Sequence, residues 1–249
     1  MLKKERQAYI LRQVNLHNKV LSSVLSAEIN VSEDTIRRDL QELAVEGKLI
    51  KVHGGALSHS FHETFQPQPG VYLHDQKKVI ARKAAALIQE GMFVLTSGGT
   101  TIIELARTLP HDLRATFISG SIPAVLEYSK HPNIDVIMIG DRVSKNARIT
   151  TGGEAITKIQ QIRADYCFLG INAIDVKHGT TDSDWDIVQV KKAMADAAQK
   201  VVCLTVSEKI NTRQPIHICD ISKIDILITE LEPEHSLLQP YRDAGVEIL

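Results

Sequence analysis

Apolar positions in the first 57 residues recur at helical spacing in three short runs and then alternate. Ile10, Leu11 and Val14 mark a helix over Arg6 to Val14, and Leu21, Val24, Leu25 and Ile29 mark a second over Leu21 to Ile29. Asn30 turns the chain. Ile36, Leu40 and Leu43, spaced i, i+4, i+7, then share one face of a third helix that Gly47 ends. Lys48 to Val52 alternates in part like a strand, and His53-Gly54-Gly55-Ala56 is a tight-turn sequence leading back into Leu57. Three helices followed by a small hairpin is the order of a winged helix-turn-helix.

After residue 57 the periodicity lapses. Ser58, Ser60, Pro67, Pro69 and Gly70 suit a linker over 58–70. A helical pattern resumes near Tyr72 and runs to about Glu90. From Gly91 onward, apolar strand candidates (Met92–Leu95, Ala115–Ile118, Val136–Ile139, Tyr166–Leu169, Val201–Val206, Ile226–Ile228) alternate with amphipathic stretches. The helices predicted there are Thr101–Thr108, Pro123–Ser129, Glu154–Ile162, Asp186–Gln199 and Glu234–Ala244. Continuous apolar strands separated by helices predict a mostly parallel sheet covered on both faces. The expected plan is therefore a DNA-binding head over 1–57, a linker over 58–70 and an α/β domain over 71–249.

Composition agrees with a water-exposed globular protein: 249 residues, 43% hydrophobic and 24% charged. Aromatics are only 4%, so the core must rest on Ile, Val, Leu and Ala. No apolar run approaches the ~20 residues of a membrane span. The first residues (Lys3, Lys4, Arg6) lack the apolar stretch of a signal peptide, and no membrane partner is expected. The net charge of −1 hides an asymmetry. Residues 1–57 carry nine Lys/Arg against seven Asp/Glu, and the remainder twenty against twenty-three. A mildly basic head on an acidic body fits a nucleic-acid module joined to another kind of module. Such a weakly basic head binds DNA poorly alone, so dimerisation would double its phosphate contacts. Cys167, Cys203 and Cys219 form no C-x-x-C pair, and two lie inside apolar runs, as reduced thiols of a cytoplasmic protein would. The ten histidines show no ligand spacing, and neither a metal site nor a cofactor is expected.

The third helix carries the first candidate chemistry. Ser32 can cap it, and Glu33 and Asp34 then sit where the helix dipole favours negative charge. Arg38 and Gln41 fall opposite the apolar face, with Arg37 on the flank, which suits a DNA major groove. The expected DNA contacts are Ser32, Thr35, Arg37, Arg38 and Gln41, with Lys51 and His53 from the wing. The alternative is an ordinary amphipathic helix with a solvated arginine pair.

The second candidate lies at the predicted strand ends, where ligands of parallel sheets bind. Ser97-Gly98-Gly99-Thr100-Thr101 enters a helix, with glycines for close backbone approach and free N–H groups that suit a phosphate. Ser119-Gly120-Ser121, Gly140-Asp141-Arg142 and Gly152-Gly153-Glu154 fall at the ends of later strands or starts of helices. Ser207-Glu208-Lys209 ends another strand, and Lys209 could meet an anion. Each loop alone is equally explained as turn and capping chemistry; their succession points to an anion or polyol pocket. Asp182, Asp184 and Asp186 gather before a helix that holds Lys191 and Lys192, as acid–base machinery or as helix caps followed by surface lysines. Trp185, the only tryptophan, is a candidate for a pocket rim or interface.

These residues resemble one family. Ser32 through Leu40, then Val52-His53-Gly54-Gly55-Ala56, then Gly99-Thr100-Thr101 with Glu104-Leu105-Ala106 match the DeoR-type transcriptional regulators. Arg163-Ala164-Asp165, Phe168-Leu169-Gly170, Val190-Lys191 with Ala193-Met194, and Ser207 with Lys209 extend the match over nearly the whole length. The resemblance implies a DNA-binding repressor of carbohydrate-metabolism genes, dimeric or tetrameric. Its C-terminal domain would resemble the ribose-5-phosphate isomerase and glucosamine-6-phosphate deaminase fold and sense a phosphorylated sugar. The expected effector contacts are Ser97, Gly98, Gly99, Thr100, Thr101, Ser119, Gly120, Ser121, Gly152, Asp182 and Lys209. The sequence departs from the family pattern at Ser97-Gly98 (usually Asp-Ser), Ser119-Gly120-Ser121 (Thr-Asn-Ser), Asp141 (Gly), Gln189 (Glu) and Val206 (Asp). The lost carboxylates would orient sugar hydroxyls, so the ligand can differ or be absent.

Three functions follow. The first is a ligand-responsive repressor with no catalytic residues. The second is a sugar-phosphate isomerase or deaminase using Asp182 or Asp184 as base and Lys209 as phosphate anchor. The third is a DNA-binding protein whose second domain only oligomerises.

Overall fold

The computed structural model describes residues 1–17, 19–58, 73–145 and 147–249. The chain divides into two units, Met1–His74 and Asp75–Leu249. Residues 59–70 of the expected linker, and Tyr72 at the expected start of the next helix, lie outside the described residues.

The first unit runs α1 (Lys3–His17), β1 (Lys19–Leu21), α2 (Ser22–Ile29), α3 (Glu33–Val45), β2 (Ile50–Val52) and β3 (Gly55–Leu57). Its core is Ile10, Val14, Val20, Leu25, Ile36, Leu40, Leu43, Leu49 and Ala56. Asn30 makes the α2–α3 turn in the left-handed region, at φ 52°. β1 was not expected: Leu21 was placed at the start of the second helix and Lys19 and Val20 in no element, but the three pair antiparallel with β3, giving the order β1-β3-β2. That pairing exposes Leu21 and Val24 (45% and 48%), so the expected apolar stripe of α2 reduces to Leu25 with Ile29 half-buried. Gly55 permits the pairing, because a Cβ there would lie 1.9 Å from the Val20 carbonyl oxygen. Ser58, at the start of the expected linker, is buried and donates to Asn15 Oδ1 at 2.6 Å. Below α3, the buried Asp39 carboxylate accepts from Arg6 of α1, which ties the two helices together.

The second unit begins with α4 (His74–Ala85) and then alternates: β4 (Phe93–Thr96), α5 (Thr100–Thr108), β5 (Ala115–Ser119), α6 (Ile122–Tyr128), β6 (Ile134–Met138). A hairpin, β7 (Arg142–Ser144) and β8 (Ile149–Thr151), precedes α7 (Gly153–Gln160) and β9 (Ala164–Gly170). β10 (Ala173–Asp175), β11 (Gly179–Asp182), α8 (Trp185–Asp196), β12 (Ala198–Leu204), β13 (Ile216–Cys219), β14 (Ile226–Ile228), α9 (Gln239–Asp243) and β15 (Glu247–Ile248) complete it. Seven strands form one parallel sheet in the order β15-β14-β12-β9-β4-β5-β6. Side chains alternate across it. Leu95 and Ile118 join the cluster that includes Ala155 and Ile159 of α7 and Val190 and Met194 of α8. Their neighbours Thr96 and Phe117 face Tyr128 of α6 on the other side.

The six expected strands and the parallel sheet are present, with ends shifted by a few residues. Two differences have clear causes. Gln199, expected in a helix, lies in β12, because α8 stops at Asp196. The expected helix Glu234–Ala244 is a short 3-10 turn, Ser236–Leu238, followed by α9, because Pro240 fits a first turn but no helix interior. The small antiparallel sheet β10-β11-β13 was not expected; Gly179-Thr180-Thr181-Asp182 is wholly buried yet carries no apolar pattern. Among the described residues, no helix is long and apolar enough to cross a membrane.

Candidate functional site

In the first unit, Ser32 caps α3 as its sequence position predicts: Thr35 N donates to Ser32 Oγ at 3.3 Å, and the two hydroxyls bond each other at 2.9 Å. The hydroxyls of Ser32 and Thr35 are thus engaged within the cap. Arg37 lies 3.4 Å from both Glu33 and Asp34, bridging to its own first turn. Arg38 is exposed and has no hydrogen-bond or ion-pair partner among the described residues. Thr35, Arg38 and Gln41, three residues apart, line one outward face. Gln41 is held from the wing: Lys51 Nζ donates to Gln41 Oε1 at 2.8 Å. These two residues, with Ala44, Leu49 and the exposed His53 at the wing turn, line an open groove.

In the second unit, the strand order reverses direction between β4 and β9, which marks the topological switch point. The two strand ends are stitched there: Gly170 N donates to Ser97 Oγ at 2.9 Å. Gly99 begins α5 at φ 110°, and Thr100 and Thr101 are buried in its first turn. Gly98 is overlain by Ile149 of the hairpin; a Cβ at Gly98 would sit 2.5 Å from Ile149 Cδ1. Gly120 similarly faces Thr150, whose Oγ1 would be 2.4 Å from an added Cβ. Ser119 Oγ donates to Thr96 O at 2.8 Å and accepts from Ser121 N, while Ser121 Oγ caps Ala124 N at 3.4 Å.

Asp141, where the family pattern has glycine, serves α7. Its carboxylate accepts from Arg142 N (2.6 Å) and Ala155 N (3.2 Å), and these backbone donors hold the acid below its usual range. Gly152, at φ 121°, makes room for it, since a Cβ there would be 2.4 Å from Asp141 Oδ2.

The charged centre is formed by Asp182, Lys191, Asn172 and Lys209. Asp182 and Lys191 are both buried and 2.7 Å apart. Asn172 Nδ2 (3.0 Å) and Ser183 N (2.7 Å) also donate to Asp182. Burial alone would raise the Asp182 carboxyl, but Lys191 and these donors outweigh it and hold it low. Lys209 Nζ donates to Ile171 O and Asn172 Oδ1, each at 3.3 Å. Burial, with Lys191 nearby, pushes the Lys209 ammonium down to about 8, although Asp182 and Glu208 pull the other way. The Ser207 loop, without the family's Asp at Val206, is held instead by Glu230, which accepts from Ser207 N at 3.0 Å and from its hydroxyl.

Three readings of the Asp182–Lys192 stretch are settled by these contacts. Asp184 is the α8 cap, accepting from Ile187 N at 3.1 Å. Asp186 is exposed, 3.6 Å from Arg142, and Trp185 is 65% exposed. Lys191 is no surface lysine. It falls on the buried face with Ile187, Val190 and Met194, the i, i+3, i+4, i+7 stripe that its sequence position already implies. Asn172 carried no such signal. Between these elements a small cavity of about 10 Å³, lined by Ile139, Ile149, Ile187, Val190, Met194 and Lys191 among others, has room for about one water.

Comparison with known proteins fits both units. The profile of the DeoR-like helix-turn-helix domain matches residues 6–61, and that of the DeoR C terminal sensor domain matches residues 73–231. The chain belongs to the DeoR family of transcriptional regulators. Relatives of this DeoR-type chain include the HTH-type transcriptional regulator GolR of Listeria innocua, 30% identical over 98% of this chain and 97% of that one. The glycerol-3-phosphate regulon repressor of Haemophilus influenzae is 28% identical over 92% of this chain and 90% of that one. Among solved structures, ribose 5 phosphate isomerase A from Neisseria gonorrhoeae aligns at a TM-score of 0.42 and 15% identity, covering 55% of this chain and 54% of that one.

Proposed function

We propose that this DeoR-type regulator is a sequence-specific repressor of carbohydrate-metabolism genes that a phosphorylated sugar releases from DNA. The observation that carries the DNA half is the outward face of α3, where Arg38 stands exposed between Thr35 and the wing-braced Gln41. Arg38 offers a planar fork to a guanine edge, with Gln41, Lys51 and His53 as neighbouring contacts. A homodimer or tetramer would present two such heads to an operator. Effector binding would change their spacing, a coupling of about 1–3 kcal/mol.

The effector half rests on Lys209, held on Asn172 next to the Asp182–Lys191 pair, as a second cation for an anion, with the free N–H groups of the α5 N-terminus as further donors. The glycerol-3-phosphate regulon repressor among the relatives supports a phosphorylated polyol. Gly99, Thr100, Thr101 and Lys209 would hold the phosphate; Asp182 would orient hydroxyls. The roles first expected for Ser119, Ser121 and Gly152 are weaker, because their atoms or space already serve Thr96, Ala124 and Asp141. The cavity under Ile149 holds only about one water, so a ligand seated against Gly98 would have to displace Ile149. That same small cavity favours a second reading, a domain that only oligomerises.

The test is operator selection by the full chain from random duplexes, followed by release measurements with sugar phosphates, free sugars and inorganic phosphate. Selective release by one sugar phosphate supports the first reading. Operator affinity that none of them changes supports the second. Turnover of ribose-5-phosphate or glucosamine-6-phosphate would overturn both in favour of an enzyme.

A further inference from the structure

The parallel sheet of the second unit ends differently on its two sides. One edge, β15, is two residues long, too short to template a further strand. The other edge, β6, runs Ile134-Asp135-Val136-Ile137-Met138 and, among the described residues, pairs with β5 alone. Soluble proteins blunt such an edge with lysine, proline or a bulge, whereas the one charge on this strand is Asp135. Ile137 and Met138 stand exposed on it, with Leu126 of α6, the helix packed against β6, and Val143 of β7, the strand that follows; the four are between 40% and 48% exposed. They offer on the order of a few hundred Å² of apolar surface, a large part of the ~800 Å² that one face of a stable complex buries. The backbone is open as well. Ile139 N donates to Ser119 O of β5, so by alternation the backbone groups of Ile137 also face β5, and those of Val136 and Met138 face outward.

We infer that β6 is the contact through which a second copy of this chain extends the sheet, antiparallel strand against strand, about a two-fold axis at Ile137. The inference rests on the proposed homo-oligomer and deepens it by naming the surface that joins the copies. The edge is complementary to itself, which selects a second copy as its occupant. An axis at Ile137 sets Val136 of each copy opposite Met138 of the other, so the outward N–H and C=O groups of one meet those of its mate. Val136 and Met138 then pair on the face that α6 covers, and the two Ile137 side chains meet on the other. Charge excludes the neighbouring registers. An axis at Asp135 would set two carboxylates face to face, and one at Met138 would set Asp135 opposite Asp141 of the second copy. An axis at Val136 would leave the Asp135 carboxylates about 7 Å apart along the strands, inside the Debye length of about 8 Å, whereas the axis at Ile137 separates them by about 14 Å.

The experiment measures the mass in solution of the full chain and of Ile137→Lys by light scattering, and cross-links two cysteine variants under mild oxidation. The unsubstituted chain should run as a dimer or a multiple of one, and Ile137→Lys at half that mass, because two ammonium groups would then meet on the axis. Ile137→Cys should give a disulfide-linked pair of chains, since directly opposed residues of this kind bring their Cα atoms to about 4.5 Å, within the 4.4–6.8 Å a disulfide spans. Asp135→Cys, about 14 Å from its mate, should give none beyond the background that Cys167, Cys203 and Cys219 set in the unsubstituted chain. The cross-link keeps the inference testable if Ile137→Lys fails to fold. An oligomer whose mass Ile137→Lys leaves unchanged, or one that Ile137→Cys does not link, overturns the inference and leaves the oligomeric reading standing. Linkage through Asp135→Cys in place of Ile137→Cys overturns it too. A monomeric unsubstituted chain overturns both.

Discussion

Replacing Lys191 with methionine should destabilise the second unit by about 3–5 kcal/mol, the usual cost of removing one partner from a buried ion pair. The magnitude follows from the surroundings. The Lys191 and Asp182 side chains are 7% and 3% exposed, so water cannot take over the role of the lost ammonium. Asn172 and Ser183 still donate to Asp182, but neither neutralises its charge. Methionine keeps the length and apolar stem of lysine, so packing against Ile187 and Met194 changes little. The double variant Asp182→Asn with Lys191→Met removes both charges and should recover most of the loss. The pH dependence gives a second reading. In the unsubstituted chain the Asp182 carboxyl is held low, so its contribution is present above the unfolded pKa and is lost as pH falls through the folded one. In Lys191→Met the buried carboxyl loses its direct ion-pair partner, keeping only the more distant Lys209, and shifts upward, so acidification should narrow the gap between variant and parent. The assay is urea unfolding of the full chain followed by emission of Trp185, the only tryptophan and the first residue of α8, which reports on the second unit alone. A loss under about 1 kcal/mol, or a double variant worse than the single one, would refute the reasoning.

Arg38→Ala should cost about 1–3 kcal/mol of affinity for a selected operator, and Arg37→Ala less, because Glu33 and Asp34 already engage Arg37; anisotropy titrations with labelled duplex decide, and equal losses would sink the distinction. Gly55→Ala forces a Cβ into the Val20 carbonyl and should destabilise the head by about 1–3 kcal/mol or more; a circular-dichroism melt unchanged in position would contradict that close approach. Asp141→Ala should lower the melting temperature of the second unit by uncapping α7. Because that carboxyl is held low, its contribution is present at neutral pH and lost only in acid, so the deficit should shrink between pH 7 and pH 3.

The periodic elements were legible. Ile36, Leu40 and Leu43 placed α3, and the apolar runs placed the sheet strands, because burial on one or both faces writes itself into the order of side chains. β1 was hidden, since Lys19-Val20-Leu21 is too short to show a period and is recruited only by the bare backbone of Gly55, far along the chain. The site was legible in part. Lys191 sits in a readable apolar stripe, yet its partner Asp182 lies on a strand of Gly, Thr and Asp without alternation. Asp141 stood out as a departure from the family pattern, but its service to α7 depends on a hairpin that brings positions 141 and 155 together. Ile149 over Gly98 is likewise a tertiary event with no local signature.

The acidic first turn of α3 bears on how the regulator finds its operator. Glu33 and Asp34 give Arg37 its own counter-ions, so this helix, docked as proposed, would displace fewer cations from the DNA than two bare arginines. Non-specific affinity for the genome, which draws mainly on that displacement, would be correspondingly lower. Less protein is then held idle on the vast excess of wrong sites, and more diffuses free to sample the right one. On the docking proposed for α3, the search would lean on repeated collision more than on long sliding, and occupancy of the operator would respond promptly when the amount of active regulator changes.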